Sequence, residues 1–328
     1  MHVSTLDAHV AGGAVRLVTS GIPTLDGVTI AAKRSSFEAQ ASHLAEALSR
    51  EPRGHAGIVG VVLTEPERAE ADCGMVFFTG AGCRAVSGHA AMGAVALAVA
   101  AGILAPRQPG RVEVDTEAGP VVVEYDAADV TFPCAMRVTG APAHVVRGAA
   151  RVTTGRRTLA MDIAWSGSEL VAVVDGESAG VPLSVAHTLE LRRTAREVLD
   201  AVEETVRVTA PGSGVRGHVT GCVFVGPASD DRAAVRAVMV RDNGAVSRTA
   251  SASGSAALGA VLAAMGMAAS GGQTRIENLA GLSWTVELGT LRPDGGWPIT
   301  IVADVHATGT HTFVLDASDP LLRGAAWA

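Results

Sequence analysis

The stretch SGHAAMGAVALAVAA, residues 87–101, opens with a serine, a glycine and a histidine, then runs apolar for more than three helical turns. Gly102 and Pro106 follow, as expected at a helix end. A second stretch, SASGSAALGAVLAA at residues 251–264, repeats the plan, with Gly266 and Gly271 behind it. A helix that is apolar all round must be buried all round. Its first turn also aims backbone N–H groups at whatever lies in front of it. Two such helices, one in each half, predict a duplicated unit with a site between the halves.

Residues 3–6, 14–19, 58–63, 74–78, 112–114 and 121–125 read as strands around the first helix, with Gly12-Gly13 as a tight connection. Residues 37–48 read as a surface helix started by Ser35-Ser36 and ended by Glu51-Pro52-Arg53-Gly54-His55. Around the second helix, residues 130–132, 159–164, 170–174, 219–225, 237–240, 275–278, 284–288 and 299–302 read as strands. Residues 185–206 read as a long amphipathic helix. Strands, amphipathic helix, strands, buried helix, strands: the order recurs. The expected division is residues 1–127 with the tail 303–328, and residues 128–302, the second unit beginning near Asp129.

Composition narrows the function. Of 328 residues 48% are apolar but only 3% aromatic, so the core is built from Ala, Val and Leu. A net charge of −7 leaves no basic footprint, which argues against nucleic acid. Neither apolar helix is long enough to span a bilayer, which argues against a membrane partner. The opening MHVSTLDAHV has no signal-peptide pattern, and Cys73, Cys83, Cys134 and Cys222 lack CxxC spacing, so a cytoplasmic protein with free thiols is expected. Cys83 is read as structural. Gly212-Ser213-Gly214-Val215-Arg216-Gly217 spells GxGxxG but precedes a strand-like run, whereas a dinucleotide site requires a helix there. GxxxxGK[ST], HExxH and GxSxG are absent, and no local spacing of the ten histidines supports a metal site.

Glu51-Pro52-Arg53-Gly54-His55, Ser87-Gly88-His89, Arg248 ahead of residues 251–254, and the tail TGTHTFVLD at 308–316 with Asp319-Pro320 resemble the proline racemase family. Asp7-Ala8-His9, Asp115-Thr116, Ala118-Gly119 and Asp162-Ile163-Ala164 extend the resemblance over nearly the whole chain. It implies an α+β, diaminopimelate-epimerase-like fold: two similar units, each a curled β-sheet around a buried central helix, with the active site in the cleft between them. It also implies a homodimer, a small imino-acid substrate and no cofactor. Members of such a family invert Cα of proline or hydroxyproline with two opposed acid/base cysteines, or dehydrate 3-hydroxyproline.

This chain places Ser87 and Ser251 at the two cysteine positions. Ser247 stands at the position of an aspartate that contacts the ring amine, and Ala252-Ser253 at that of Gly-Thr. The resemblance implies Ser87 and Ser251 as catalytic. It implies Gly88, His89, His218, Ser247, Ala252 and Ser253 as substrate-binding. The chemistry changes with the residue. A helix N-terminus is worth up to ~2 kcal/mol, or ~1.5 pKa units at ~1.4 kcal/mol each. That suffices for a thiol near ~8.5 and not for a hydroxyl, so serine needs a partner base, for which His89 is nearest in sequence. Serine also caps helices without doing chemistry. Three functions therefore stand: a proline or hydroxyproline racemase or epimerase; a trans-3-hydroxy-L-proline dehydratase; and a degenerate relative that binds a small imino or amino acid or catalyses a changed reaction.

Overall fold

The computed structural model describes residues 1–128, 130–155, 157–212, 214–229 and 233–325. Asp129, Ser213 of the glycine-rich motif and the last three residues of the tail lie outside them. The chain divides into two compact units, Met1–Val138 with the chain from Ala303 on, and Thr139–Val302.

The first unit contains β1 (His2–Val10), β2 (Gly13–Ser20), α1 (Ile30–Ser49), β3 (Val59–Thr64), β4 (Cys73–Thr79), β5 (Gly82–Arg84), α2 (Gly88–Ala100), β6 (Arg111–Thr116), β7 (Gly119–Tyr125) and β8 (Cys134–Thr139). β1 and β2 are antiparallel, β2 and β3 parallel, β3 and β4 antiparallel, β4 and β6 parallel, β6 and β7 antiparallel. The parallel pairs are those that α1 and α2 connect, because a parallel neighbour requires a crossover.

The second unit contains β9 (His144–Thr153), β10 (Thr158–Trp165), β11 (Leu170–Asp175), the short α3 (Gly176–Ala179), α4 (Thr188–Thr205), β12 (Val219–Gly226), β13 (Val235–Arg241), α5 (Ala252–Ala264), β14 (Gln273–Glu277), β15 (Ser283–Leu288) and the start of β16 (Ile299–Val314). From β10 to β15 the pairing is again antiparallel, parallel, antiparallel, parallel, antiparallel. The duplication read from element order is thus present in the hydrogen-bond ladder. The far end of β16 pairs with β1, and β8 neighbours β16 in the strand order, so the first unit's sheet closes around α2.

Both central helices are buried as their composition requires. Residues 90–98 of α2 and 254–261 of α5 are all buried. Small residues let the sheet approach closely: a Cβ on Gly93 would stand 2.9 Å from Val15 Cγ2, and one on Gly254 2.7 Å from Val223 Cγ2. On the outer face of the first sheet α1 packs Phe37, Leu44 and Leu48 against Val62, Val76 and Phe78. Its counterpart α4 packs Leu191, Val198 and Val202 with Leu159 and Phe224. Among the described residues no helix is long and apolar enough to cross a membrane.

Four local expectations fail. α1 begins at Ile30, because Thr29 caps it through Ala32 N–H at 3.1 Å. Ser35 lies inside the helix, its hydroxyl bonded back to the Ala31 carbonyl at 3.1 Å, as a mid-helix serine can be. The β1–β2 turn is Ala11-Gly12, both at positive φ (45° and 84°), with Gly13 already paired to Val10. Residues 130–132 form no strand, and the ladder starts at Cys134, behind Pro133, which has no N–H to donate. The helix read at residues 185–206 is a 3₁₀ turn, Val185–His187, followed by α4.

Much of the recognisable sequence is structural. Arg53 pairs with Asp319 and bonds the Leu321 carbonyl at 2.9 Å, joining the Glu51–His55 segment to the tail. Asp7 receives Arg16 Nη2 at 2.7 Å, and the Arg16 guanidinium lies 4.5 Å over the Phe313 ring. Asp115 accepts the Glu67 and Arg68 N–H groups at 2.8 and 2.7 Å.

Candidate active site: the two helix starts

The β4–β5 hairpin delivers the chain to Ser87, which is extended (φ −146°, ψ 106°) and 7% exposed. The first helical bond runs from Ala91 N–H to the Ser87 carbonyl at 2.8 Å, so the N–H groups before Ala91 are not used by the helix's own ladder. The Ser87 hydroxyl makes no capping bond. It lies 3.3 Å from His89 Nδ1 instead. With Nδ1 unprotonated, serine donates to imidazole, which is the arrangement of an activated hydroxyl. Cys83 belongs elsewhere: burial, then the negative charge of nearby Glu38, push its thiol up to about 12. It is a protonated thiol facing α1, not a thiolate.

At the start of α5 the backbone itself is unusual. Ser251 has φ 61° and ψ 124°, a region that side chains avoid, and is 6% exposed. Its N–H donates to Thr249 Oγ1 at 3.0 Å, and Thr249 Oγ1 is 3.3 Å from Ser247 Oγ. Ser251 Oγ accepts Gly254 N–H at 3.2 Å and lies 3.2 Å from Ser253 Oγ. Here the serine does cap its helix, through the N3 position. Ala252 is the first helical residue. Arg248 offers its carbonyl to Asn278 Nδ2 at 2.9 Å.

Behind Ser253 stands a group that the sequence reading missed. Glu169 lies near Ser253. It also receives Arg241 Nη1 and Nη2 at 2.8 and 2.9 Å and Thr220 Oγ1 at 2.7 Å. Burial alone would raise its pKa, but the Arg241 charge, the bonds from Arg241 and Thr220 and the nearby Ser253 outweigh it and hold the carboxyl at about 2. Glutamate heading an otherwise apolar strand, SELVAVVD, was the available signal.

The structure therefore joins Ser87 to His89, and Ser247, Ser251 and Ser253 to one another. His218 is placed differently. It is 60% exposed, with Nε2 3.0 Å from Asp242 Oδ2 and Nδ1 3.6 Å from Glu203 Oε2. Among the described residues no group of three or more His, Cys, Asp or Glu side chains is arranged to hold a metal ion.

The profile of the proline racemase family matches residues 5–326. A 4-hydroxyproline epimerase from Brucella ovis is 27% identical over 323 residues, covering 97% of this chain and 96% of the relative. Among solved structures, a hydroxyproline epimerase from Agrobacterium vitis with bound trans-4-hydroxy-L-proline superimposes with a TM-score of 0.85 at 23% identity, covering 99% of this chain and 95% of that one. A PhzF-family phenazine biosynthesis protein from Bacillus anthracis superimposes with a TM-score of 0.64 at 12% identity, covering 96% and 99%.

Proposed function

The chain belongs to the proline racemase family, and from that premise we propose that it is a cofactor-independent isomerase acting at Cα of proline or a hydroxyproline. Ser87 and Ser251 form its acid/base pair. One takes the α-proton and the other returns a proton to the opposite face, so the centre inverts. The backbone N–H groups at Gly88 and His89, and at Ala252 and Ser253, hold the substrate carboxylate and the charge that spreads onto it when Cα is deprotonated. Ser247 extends this set through Thr249. The observation that carries the proposal is the Ser87 hydroxyl, which leaves its helix uncapped and meets imidazole nitrogen at 3.3 Å.

Proton NMR in D2O with L-proline, trans-4-hydroxy-L-proline and trans-3-hydroxy-L-proline tests this. The expected result is loss of the α-proton signal with growth of the epimer. Ser87→Ala or Ser251→Ala is expected to slow exchange by about 10²–10⁴-fold, the usual worth of a positioned acid/base group. No exchange with any of the three, or full exchange by both variants, refutes the proposal. The binding-only reading then takes its place if the imino acids raise the Tm without turnover.

A second reading is favoured by the inequality of the two helix starts. Only Ser87 is hydrogen-bonded to an imidazole; Ser251 is bonded to Thr249, Ser253 and Gly254. One strong base is enough to dehydrate a 3-hydroxyproline. A cyclic imine product from trans-3-hydroxy-L-proline selects this reading, and its absence on every 3-hydroxyproline isomer removes it. We further propose a homodimer, which light scattering at twice the 33.2 kDa chain mass would reveal.

A further inference from the structure

We infer that Thr249 and Ser255 are positioning residues for Ser251: their hydroxyls grip the two ends of the Ala250–Ser251 peptide and hold Ser251 in the backbone conformation from which its side chain acts. The inference rests on the reading of Ser251 as an acid/base group.

The Ala250–Ser251 peptide has one donor, Ser251 N–H, and one acceptor, the Ala250 carbonyl. Thr249 Oγ1 accepts the N–H at 3.0 Å, and Ser255 Oγ donates to the carbonyl at 3.3 Å. The Ser255 hydroxyl is itself oriented from behind. An indole N–H only donates, and Trp284 Nε1 gives its proton to Ser255 Oγ at 3.0 Å. Ser255 therefore accepts from β15 and passes its own proton to Ala250. Thr249 is 2%, Ser255 0% and Trp284 2% exposed, so losing any of these bonds leaves a buried polar group unpaired. Ser255 also gives its N–H to the Ser251 carbonyl at 2.7 Å. One residue thus touches the peptides on both sides of Ser251.

A clamp is needed because Ser251 sits at φ 61° and ψ 124°, a conformation that persists only where the surroundings over-determine it. Relief would come from rotation about its N–Cα bond, which changes the angle between that peptide and the Ser251 side chain. The chain in front is fixed: Ser247 N–H donates to the Met239 carbonyl at 2.9 Å, and Asn278 Nδ2 to the Arg248 carbonyl at 2.9 Å. Behind, the Ser251 carbonyl is fixed by the helix. The rotation therefore falls on the peptide and the side chain, and it gives up both hydroxyl bonds. Without them, only a fraction of molecules holds Ser251 in its working conformation, and kcat falls by that fraction. The N–H groups of Ala252 and Ser253 belong to α5 and stay in place, so substrate binding is largely spared.

Crystallography of the full chain tests the clamp without any substrate. Ser251 is expected at positive φ in the wild type and at negative φ in the double variant Thr249→Val/Ser255→Ala. A double variant that keeps the positive φ overturns the inference, because the fold and not the two hydroxyls would then hold the residue. Should the double variant fail to fold, amide hydrogen exchange at Ser251 decides. It is expected to quicken in Thr249→Val and to return to the wild-type rate in Thr249→Ser; an unchanged rate in Thr249→Val overturns the inference. Kinetics tests the role. Thr249→Val is expected to lower kcat for α-proton exchange by about 10- to 10²-fold while KM changes by less than about twofold. Thr249→Ser, which restores the hydroxyl, is expected to recover most of the loss. An unchanged kcat in Thr249→Val, or a raised KM with kcat intact, overturns the role. If the wild type exchanges none of the three imino acids, the isomerase reading fails, and the conformation of Ser251 alone decides whether the two hydroxyls hold it.

Discussion

At the scale of single residues, Ser251 carries opposing demands. Its φ of 61° costs about 1–3 kcal/mol for a residue with a side chain, while its hydroxyl caps α5 at Gly254. Glycine removes the first cost and, at an N-cap, forfeits only a few tenths of a kcal/mol. Ser251→Gly is therefore expected to stabilise the fold by about 1 kcal/mol. Ser251→Ala keeps the strain and loses the cap, and is expected to destabilise it by about 1 kcal/mol. Urea midpoints in the order Gly, wild type, Ala would bear this out; any other order would place the strain elsewhere. Both variants should lose α-proton exchange. The serine would thus be retained for chemistry, against stability.

At the scale of elements, the central helices owe their fit to residues with no side chain. Gly93→Ala would put a Cβ 2.9 Å from Val15 Cγ2, and Gly254→Ala one 2.7 Å from Val223 Cγ2. Each is expected to cost about 1–3 kcal/mol in denaturant unfolding, as overpacking does. The Cβ at 254 also comes within 3.2 Å of Ser251 Cβ, so that variant should lose turnover beyond what its stability explains. These helices were the most legible part of the sequence, because an unbroken run of small apolar residues has one stable environment. The strands beside them were legible for a related reason, since each is short, apolar and punctuated by glycine. The starts of α1 and β8 were not. Thr29 and Ser35-Ser36 all favour a cap by residue type, and only the chain's path selects Thr29. Of the candidate site, the serines and His89 were visible in local sequence. Glu169 and Arg241 were not, because 72 residues separate them and only the pairing of β11, β12 and β13 brings them to one carboxylate–guanidinium contact.

At the scale of the whole molecule, acid stability should be set by carboxylates tied to arginines. Glu169 is held at about 2. Glu277, whose burial would raise it, is brought below its ordinary value by the bonds from Arg236 and Ser229. A folded-state pKa below that of the unfolded chain contributes stability that is present above the unfolded value and lost as pH falls through the folded one. Unfolding free energy is thus expected to decline from about pH 4.5, the ordinary glutamate value, toward about 2. Glu169→Gln should flatten part of that decline. It should also cost about 3–5 kcal/mol at pH 7, since Arg241 keeps its charge and loses its partner. Equilibrium unfolding against pH for both proteins checks both statements.

The repeated ladder has a historical meaning. A gene for one half-length chain, duplicated and fused, yields two copies of the same strand order with a helix start at the same place in each. Ser87 and Ser251 are then paralogous positions within one polypeptide, descended from a single ancestral residue. Fusion released them from identity. One copy now meets an imidazole two residues on and the other a hydroxyl two residues on, so one position repeated in both halves stands in two different surroundings.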